Sequence, residues 1–188
     1  MANKYGIAID YRRCIGCGSC SVSCKLENNL PNEVWYCTVN TVGGASKDCP
    51  GGSYGSNTIA YQPLRCQHCE NPACVAVCPT GAAYIGADGI VGVDHGRCIG
   101  CLYCMAACPY QVRVRNEETG AVDKCRFCTV SAETTGTKMC SCVEACLTGA
   151  RMFGDLDDPD SDISKEIVAT NAQPIAGDLT KSKVFYVR

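Results

Sequence analysis

Cysteine is the residue type through which this sequence could do chemistry. Cys14, Cys17, Cys20 and Cys24 form a CxxCxxCxxxC run, and Cys98, Cys101, Cys104 and Cys108 repeat that spacing. The surroundings repeat too: Asp10, two residues, Arg13, then Cys14-Ile15-Gly16-Cys17 is matched by Asp94, two residues, Arg97, then Cys98-Ile99-Gly100-Cys101. A second, split pattern also occurs twice. Cys66 and Cys69 lead to Cys74 and Cys78 followed by Thr80-Gly81-Ala82, and Cys125 and Cys128 lead to Cys142 and Cys146 followed by Thr148-Gly149-Ala150. The order compact, split, compact, split is that of a duplicated two-motif unit.

Thiolates gathered this tightly point to metal rather than to disulfides, which scatter their cysteines along a chain. A cubane iron-sulfur cluster needs four thiolates converging from outside. A CxxCxxC turn supplies three, and a fourth arrives from elsewhere, as in the bacterial C-x2-C-x2-C-x3-C-P run. The third motif matches that run through Cys108-Pro109. The second ends in Cys78-Pro79 with a longer gap before its third cysteine, and the first and fourth end in Cys24-Lys25 and Cys146-Leu147. Structural zinc is the competing reading, but four consecutive four-cysteine motifs exceed what CxxC pairs around single zinc ions require. Sixteen of the nineteen cysteines are therefore expected to hold four 4Fe-4S clusters.

Three cysteines remain over. Cys140 and Cys142 compete for one position, and only Cys142 keeps the CVxxC spacing of Cys74 and Cys78, so Cys140 joins Cys37 and Cys49 as a spare. Pairing of Cys37 with Cys49 in an oxidising compartment stays open. His68, inside CQHC, is expected to be a hydrogen-bonding neighbour of a cluster rather than a ligand, and His95 to be a strand-end residue. Arg13, Arg65, Arg97, Lys124 and Arg126 are cations placed to offset thiolate charge. Tyr103 and Tyr110 read as packing or partner-contact residues.

The elements that position these residues are short. Tyr5 to Asp10 and Ile90 to Asp94 each read as a strand leading into a compact motif. Ala82 to Ile85 reads as the hairpin partner of the latter across Ala87-Asp88-Gly89. Residues 43–57 read as loop. In the cysteine-free tail a helix near Ile163 to Ala169, starting about Ser161 or Asp162, and a strand at Val184 to Val187 are expected. With 3 Phe and 1 Trp against 19 Gly and 8 Pro, the aromatic core is thin, so the cross-links must do much of the holding. A formal charge of -2 without a long basic run argues against a nucleic-acid partner. The first residues show no apolar signal core, and no apolar run nears the ~20 residues of a membrane span, so the chain is expected neither to export nor to anchor itself. Neither a nucleophile-base pair nor a phosphate loop suggests independent catalysis.

The segments YGIAIDYRRCIGCGSC, RCQHCENPACVAVCPTGA, VDHGRCIGCLYCMAACPY, KCRFC with CVEACLTGA, and FGDLDDPDSDISK resemble the iron-sulfur beta subunits of DMSO-reductase-type molybdopterin oxidoreductases, over nearly the whole chain. The resemblance implies an α+β, loop-rich fold of two interlocked bacterial ferredoxin-like units with short β-hairpins and helices. Residues 1–62 with 111–154 would form the outer unit, 63–110 the inner one, and 155–188 a tail packing on a partner or on the outer unit. It implies cluster 1 on Cys14, Cys17, Cys20 and Cys146, and cluster 2 on Cys24, Cys125, Cys128 and Cys142. Cluster 3 would take Cys66, Cys69, Cys74 and Cys108, and cluster 4 Cys78, Cys98, Cys101 and Cys104. It further implies a non-catalytic electron-transfer role beside a large catalytic subunit that carries the molybdopterin bis-guanine dinucleotide with Mo or W. Cluster 4 would lie toward a quinol-oxidising membrane anchor subunit and cluster 1 toward the catalytic subunit. Assembly in the cytoplasm and a peripheral position on the cytoplasmic membrane follow, with co-export alongside the catalytic subunit left open. The alternative is a free-standing polyferredoxin shuttling electrons between soluble redox enzymes.

Overall fold

The computed structural model of the chain describes residues 4–43, 48–128 and 139–188. Strand β1 (Tyr5–Asp10) is the middle of the largest sheet. Its run of buried residues after Tyr5 reflects neighbours on both sides. Before the first motif's helix α1 (Ser19–Glu27), a tight 3-10 turn at Tyr11–Arg13 is capped by Asp10, whose carboxylate accepts from the Arg12 backbone N–H at 2.8 Å. A hairpin of β2 (Cys37–Val42) and β3 (Ala60–Arg65) follows, in antiparallel register from Cys37↔Arg65 to Val42↔Ala60.

Helix α2 (Ala73–Ala76) belongs to the second motif and packs against α3 (Tyr103–Ala106) of the third. Between them lies the expected hairpin, β4 (Ala83–Ile85) with β5 (Val91–Val93), closed by Gly86 N–H donating to Ile90 O at 2.9 Å. A two-residue pair, β6 (Val114–Arg115) and β7 (Val122–Asp123), leads into the fourth motif, whose helix α4 (Ser141–Glu144) packs against α1. Strand β8 (Arg151–Asp155) then returns antiparallel along β1, with Ile7 opposite Phe153.

The duplication read from the sequence reappears as paired hydrogen bonds. Asp10 N–H donates to Ala150 O at 2.8 Å, and Asp94 N–H donates to Ala82 O at 2.8 Å. The Arg97 guanidinium donates to Thr80 O at 2.8 Å beside Gly81, whose φ of 63° is in the left-handed region. Arg13 likewise lies over Gly149, φ 59°. The first motif thus abuts the fourth, and the third abuts the second.

The tail forms α5 (Asp162–Thr170) and β9 (Val184–Val187) as expected. Ser161 caps α5 by accepting from Ser164 N–H at 3.3 Å, and Ile163 is buried beneath the helix. Strand β9 runs parallel to β1, placing Val184 beside Ile7. The tail also reaches the second motif: Lys183 N–H donates to Gln67 O at 3.0 Å and Glu70 N–H to Lys181 O at 3.0 Å. It therefore grips the second motif as well as the sheet, where the sequence suggested packing on the outer unit or on a partner. The hairpin β2/β3 was not among the elements read from the sequence, and its second strand contains Pro63. Proline is tolerated on an edge strand, and both strands of a two-stranded sheet are edges. Gly51 in the expected loop at 43–57 forms a bridge with Thr58 just beyond it, and residues 44–47 of the loop lie outside the described residues.

Candidate iron-sulfur centres

Cysteines form much of the core. Cys20, Cys24, Cys66, Cys108, Cys125, Cys128 and Cys142 are all buried together with Ile7, Ile9, Tyr36 and Tyr186. One cavity is lined by Cys14, Cys17 and Cys20 of the first motif with Cys146 of the fourth, closed by Pro63, Thr148 and Arg151. A second is lined by Cys66, Cys69 and Cys74 of the second motif with Cys108 of the third, closed by Pro72, Tyr110 and Arg113. In each, one motif brings three sulfurs and a residue just past a distant short helix brings the fourth.

Seven of the eight remaining expected ligands fall into two further neighbourhoods. Cys24 on α1 faces Cys125 and Cys142, and burial with those like charges pushes its thiol well above the ordinary range. The Arg65 guanidinium bridges two of that group, donating to Cys142 Sγ at 3.0 Å and to Cys125 Sγ at 2.6 Å. Cys104 on α3 has Cys98 and Cys78 as charge neighbours, and burial raises its thiol. Cys101, just before α3, stands exposed.

Backbone donors point at several sulfurs. Ala83 N–H donates to Cys78 Sγ at 3.3 Å and Ala150 N–H to Cys146 Sγ at 3.2 Å, so in both copies of the split motif the turn after the last cysteine points a backbone donor at its sulfur, one residue further along in the second motif than in the fourth. Phe127 N–H donates to Cys125 Sγ at 3.4 Å and Val122 N–H to Cys98 Sγ at 3.5 Å. Hydrogen bonds to sulfur favour its negative form and raise a cluster's potential.

Charge balance tests whether 4Fe-4S clusters fit. Arg65, Arg113, Lys124 and Arg151 are each no more than 4% exposed. Among the described residues none of them is ion-paired with a carboxylate. Arg65 Nε, Arg113 Nη1 and Arg151 Nη1 have no hydrogen-bond partner there either. Burying four such cations costs several kcal/mol each unless anions lie beside them, and the neighbours on offer are cysteine sulfurs. Thiolate-bound clusters carry that negative charge. Moreover, among the described residues no three His, Cys, Asp or Glu side chains converge closely enough to hold a single metal ion. The sulfurs surround spaces rather than points, which suits a cube better than a zinc ion.

Other sequence expectations meet a mixed outcome. Cys37 is a buried thiol outside any disulfide, and Arg151 Nη2 donates to its sulfur at 3.1 Å. Its S–H donates to Cys20, lowering that thiol to about 7. Cys140 is likewise buried, and its thiol lies against two others, lowering Cys128 to about 7 and also lowering Cys142. Both ring nitrogens of His68, expected to be a hydrogen-bonding neighbour of a cluster, have no protein partner among the described residues, and the ring stacks on Phe127 with centroids 3.8 Å apart. Burial and the nearby Lys124 and Arg65 hold it neutral. His95 does more than end a strand, since its Nε2 lies 2.7 Å from Asp123 Oδ1.

Of the five cations read from the sequence, Arg65 and Lys124 lie buried among the cysteines. Arg13 and Arg97 are exposed, and Arg126 pairs with Asp123 and Tyr36. Arg113 and Arg151 were missed because they stand outside the cysteine runs. Their signal was a charge inside an apolar run, Gln111-Val112-Arg113-Val114, or directly after the TGA segment. Tyr103 is exposed, and Tyr110 is buried against Thr180.

Two models of a 4Fe-4S dicluster domain match the chain, at residues 57–156 and 13–82. The chain is 46% identical over 187 residues to a protein of Halobacterium salinarum named as a dimethyl sulfoxide reductase iron-sulfur subunit, covering 87% of this chain and 71% of that one. It is 43% identical over 188 residues to one of the chains of the polysulfide reductase of Wolinella succinogenes, covering 100% and 95%. It is 43% identical over 158 residues to a thiosulfate reductase electron transfer subunit of Salmonella typhi, covering 84% and 79%.

Proposed function

The chain belongs to the iron-sulfur subunits of the dimethyl sulfoxide, polysulfide and thiosulfate reductase kind, and from that premise we propose that it relays single electrons to a molybdopterin catalytic subunit. Four 4Fe-4S clusters would be held by the quartets Cys14, Cys17, Cys20, Cys146; Cys24, Cys125, Cys128, Cys142; Cys66, Cys69, Cys74, Cys108; and Cys78, Cys98, Cys101, Cys104. When bound, each supplies a one-electron couple.

The observation that carries this reading is a gradient of exposure. Cys17 and Cys101 are exposed, whereas Cys24, Cys66, Cys108, Cys125, Cys128 and Cys142 are buried. A relay needs this arrangement, with both termini reachable by partners and the middle shielded from water and oxidants. Large apolar side chains surround each terminus. Ile15 and Leu147 stand exposed near the first, and Ile99 and Tyr103 near the other. Exposed apolar patches rimmed by polar residues mark docking faces.

In this reading the outer unit comprises residues 1–62 and 111–154, the inner unit 63–110, and each is interlocked by ligands crossing between motifs. The tail, 155–188, fastens the two. Among the described residues no helix is long and apolar enough to cross a membrane. Membrane attachment would come through a quinol-oxidising anchor subunit, and the catalytic subunit would hold the molybdopterin.

Stoichiometric co-purification with a large molybdopterin protein tests the partner. Replacing Ile15 and Leu147 by Glu should then uncouple the catalytic subunit, while Ile99→Glu should slow reduction by the donor with catalytic coupling intact. The reverse pattern would invert the relay, and a stable isolated monomer without partners would favour a free polyferredoxin.

A further inference from the structure

Arg113 and Arg151 each stand five positions after the last cysteine of a motif, Arg113 after a compact one and Arg151 after a split one. Arg113 lines the cavity of Cys66, Cys69, Cys74 and Cys108, and its Nη2 donates to Cys74 Sγ at 2.9 Å. The same guanidinium reaches Cys104, which belongs to the quartet of Cys78, Cys98 and Cys101. Arg151 lines the cavity of Cys14, Cys17, Cys20 and Cys146 and also reaches Cys142 of the neighbouring quartet. Both are at most 4% exposed, and both leave one Nη1 unpartnered.

We propose that Arg113 and Arg151 are shared potential-setting residues, each fixing the potentials of the two clusters between which it lies. The proposal rests on the four-cluster reading above. Reduction of a 4Fe-4S cluster adds one electron and one negative charge. Arginine stays protonated in proteins, so these side chains answer that charge without moving a proton. A buried cation acts over low effective dielectric and falls off slowly enough to reach sulfurs on two sides. Lys124, which donates to Cys125 O at 2.8 Å and has Cys66 as its largest charge neighbour, occupies the remaining junction, between the second and third quartets. The row of quartets is therefore interleaved with buried cations, and the potentials of adjacent clusters are linked.

The test uses the complete chain with its clusters assembled, in wild-type, Arg113→Gln and Arg113→Lys forms, with iron and acid-labile sulfide counted before EPR-monitored redox titration. In Arg113→Gln two of the four midpoint potentials should fall and two stay. At fixed ambient potential the reduced-to-oxidised ratio of each affected cluster should drop at least about tenfold, which is ~59 mV for a one-electron couple. Arg113→Lys should keep full iron and shift the same two clusters by less. A change confined to one cluster, a uniform change in all four, or a Lys variant as perturbed as the Gln variant would overturn the sharing. Should Arg113→Gln fail to load, the Lys variant decides by the same pattern. Wild-type protein holding well under about 16 irons would instead remove the four-cluster reading itself.

Discussion

Cys24 sits on α1, while its proposed co-ligands Cys125, Cys128 and Cys142 lie about 100 residues further on. Cys24→Ala should remove one cluster from the middle of the relay, taking iron from about 16 to about 12 per chain. A cross-link closing a loop of about 100 residues constrains the unfolded chain by ~4.7 kcal/mol in the chain-entropy account, against ~3 kcal/mol for about 15 residues. Cys78, only about 20 residues from Cys98, closes a short loop, so its loss costs less. The ratio of loop lengths gives a difference of about 1.4 kcal/mol, roughly tenfold in the folded-to-unfolded ratio. Thermal loss of the cluster absorbance, together with iron analysis, measures both quantities. Double variants settle the grouping. Cys24→Ala with Cys125→Ala should lose no more iron than either alone, because one cluster serves both, whereas Cys24→Ala with Cys146→Ala should lose twice as much. Additive loss in the first pair, or equal loss in the second, would refute the cross-ligation.

Gly81→Ala would place a Cβ 3.1 Å from Arg97 Nη2 at a residue with φ of 63°. A cost of about 1–2 kcal/mol follows, lowering Tm by several degrees. Ile163, 1% exposed and packed on Gly154, anchors the tail helix; Ile163→Ala should cost ~2–5 kcal/mol and expose the tail to proteolysis. The Arg12 side chain and backbone hydrogen bonds hold the Asp10 carboxyl below the ordinary aspartate range. Its stabilisation is present above the unfolded pKa and fades only as pH falls through the lower folded value. Asp10→Asn should therefore cost about 1 kcal/mol equally at pH 5.5 and pH 8, and convergence of the two unfolding curves within that window would contradict the assignment. Stripping the iron with a chelator should leave Arg65, Lys124, Arg113 and Arg151 buried without counter-charge. Far-UV circular dichroism should then report a largely unfolded chain until iron and sulfide are restored.

What the sequence disclosed was local. Tyr5–Asp10, the β4/β5 hairpin, the Ser161-capped helix and the last strand follow from patterns spanning a few residues. Pairing of β1 with β8 and β9 joins segments more than 140 residues apart, and no local propensity encodes it. The β2/β3 hairpin was hidden because its strands alternate weakly and one contains proline. At the site, spacing chose Cys142 over Cys140 and picked out the sulfurs. The buried arginines Arg113 and Arg151 escaped notice because a charge in an apolar run gains meaning only when its neighbours are known.

Because β1 lies between β8 and β9, a strand made early by the ribosome finds both partners only when two much later ones have emerged. The cavity of Cys66, Cys69, Cys74 and Cys108 takes its sulfurs from a short internal stretch but is also lined by Thr180, so it too is closed only by the last-made segment. Biosynthesis thus carries a built-in schedule: neither the largest sheet nor that cavity is finished until the tail has been made, and a chain cut short by premature termination would lack both.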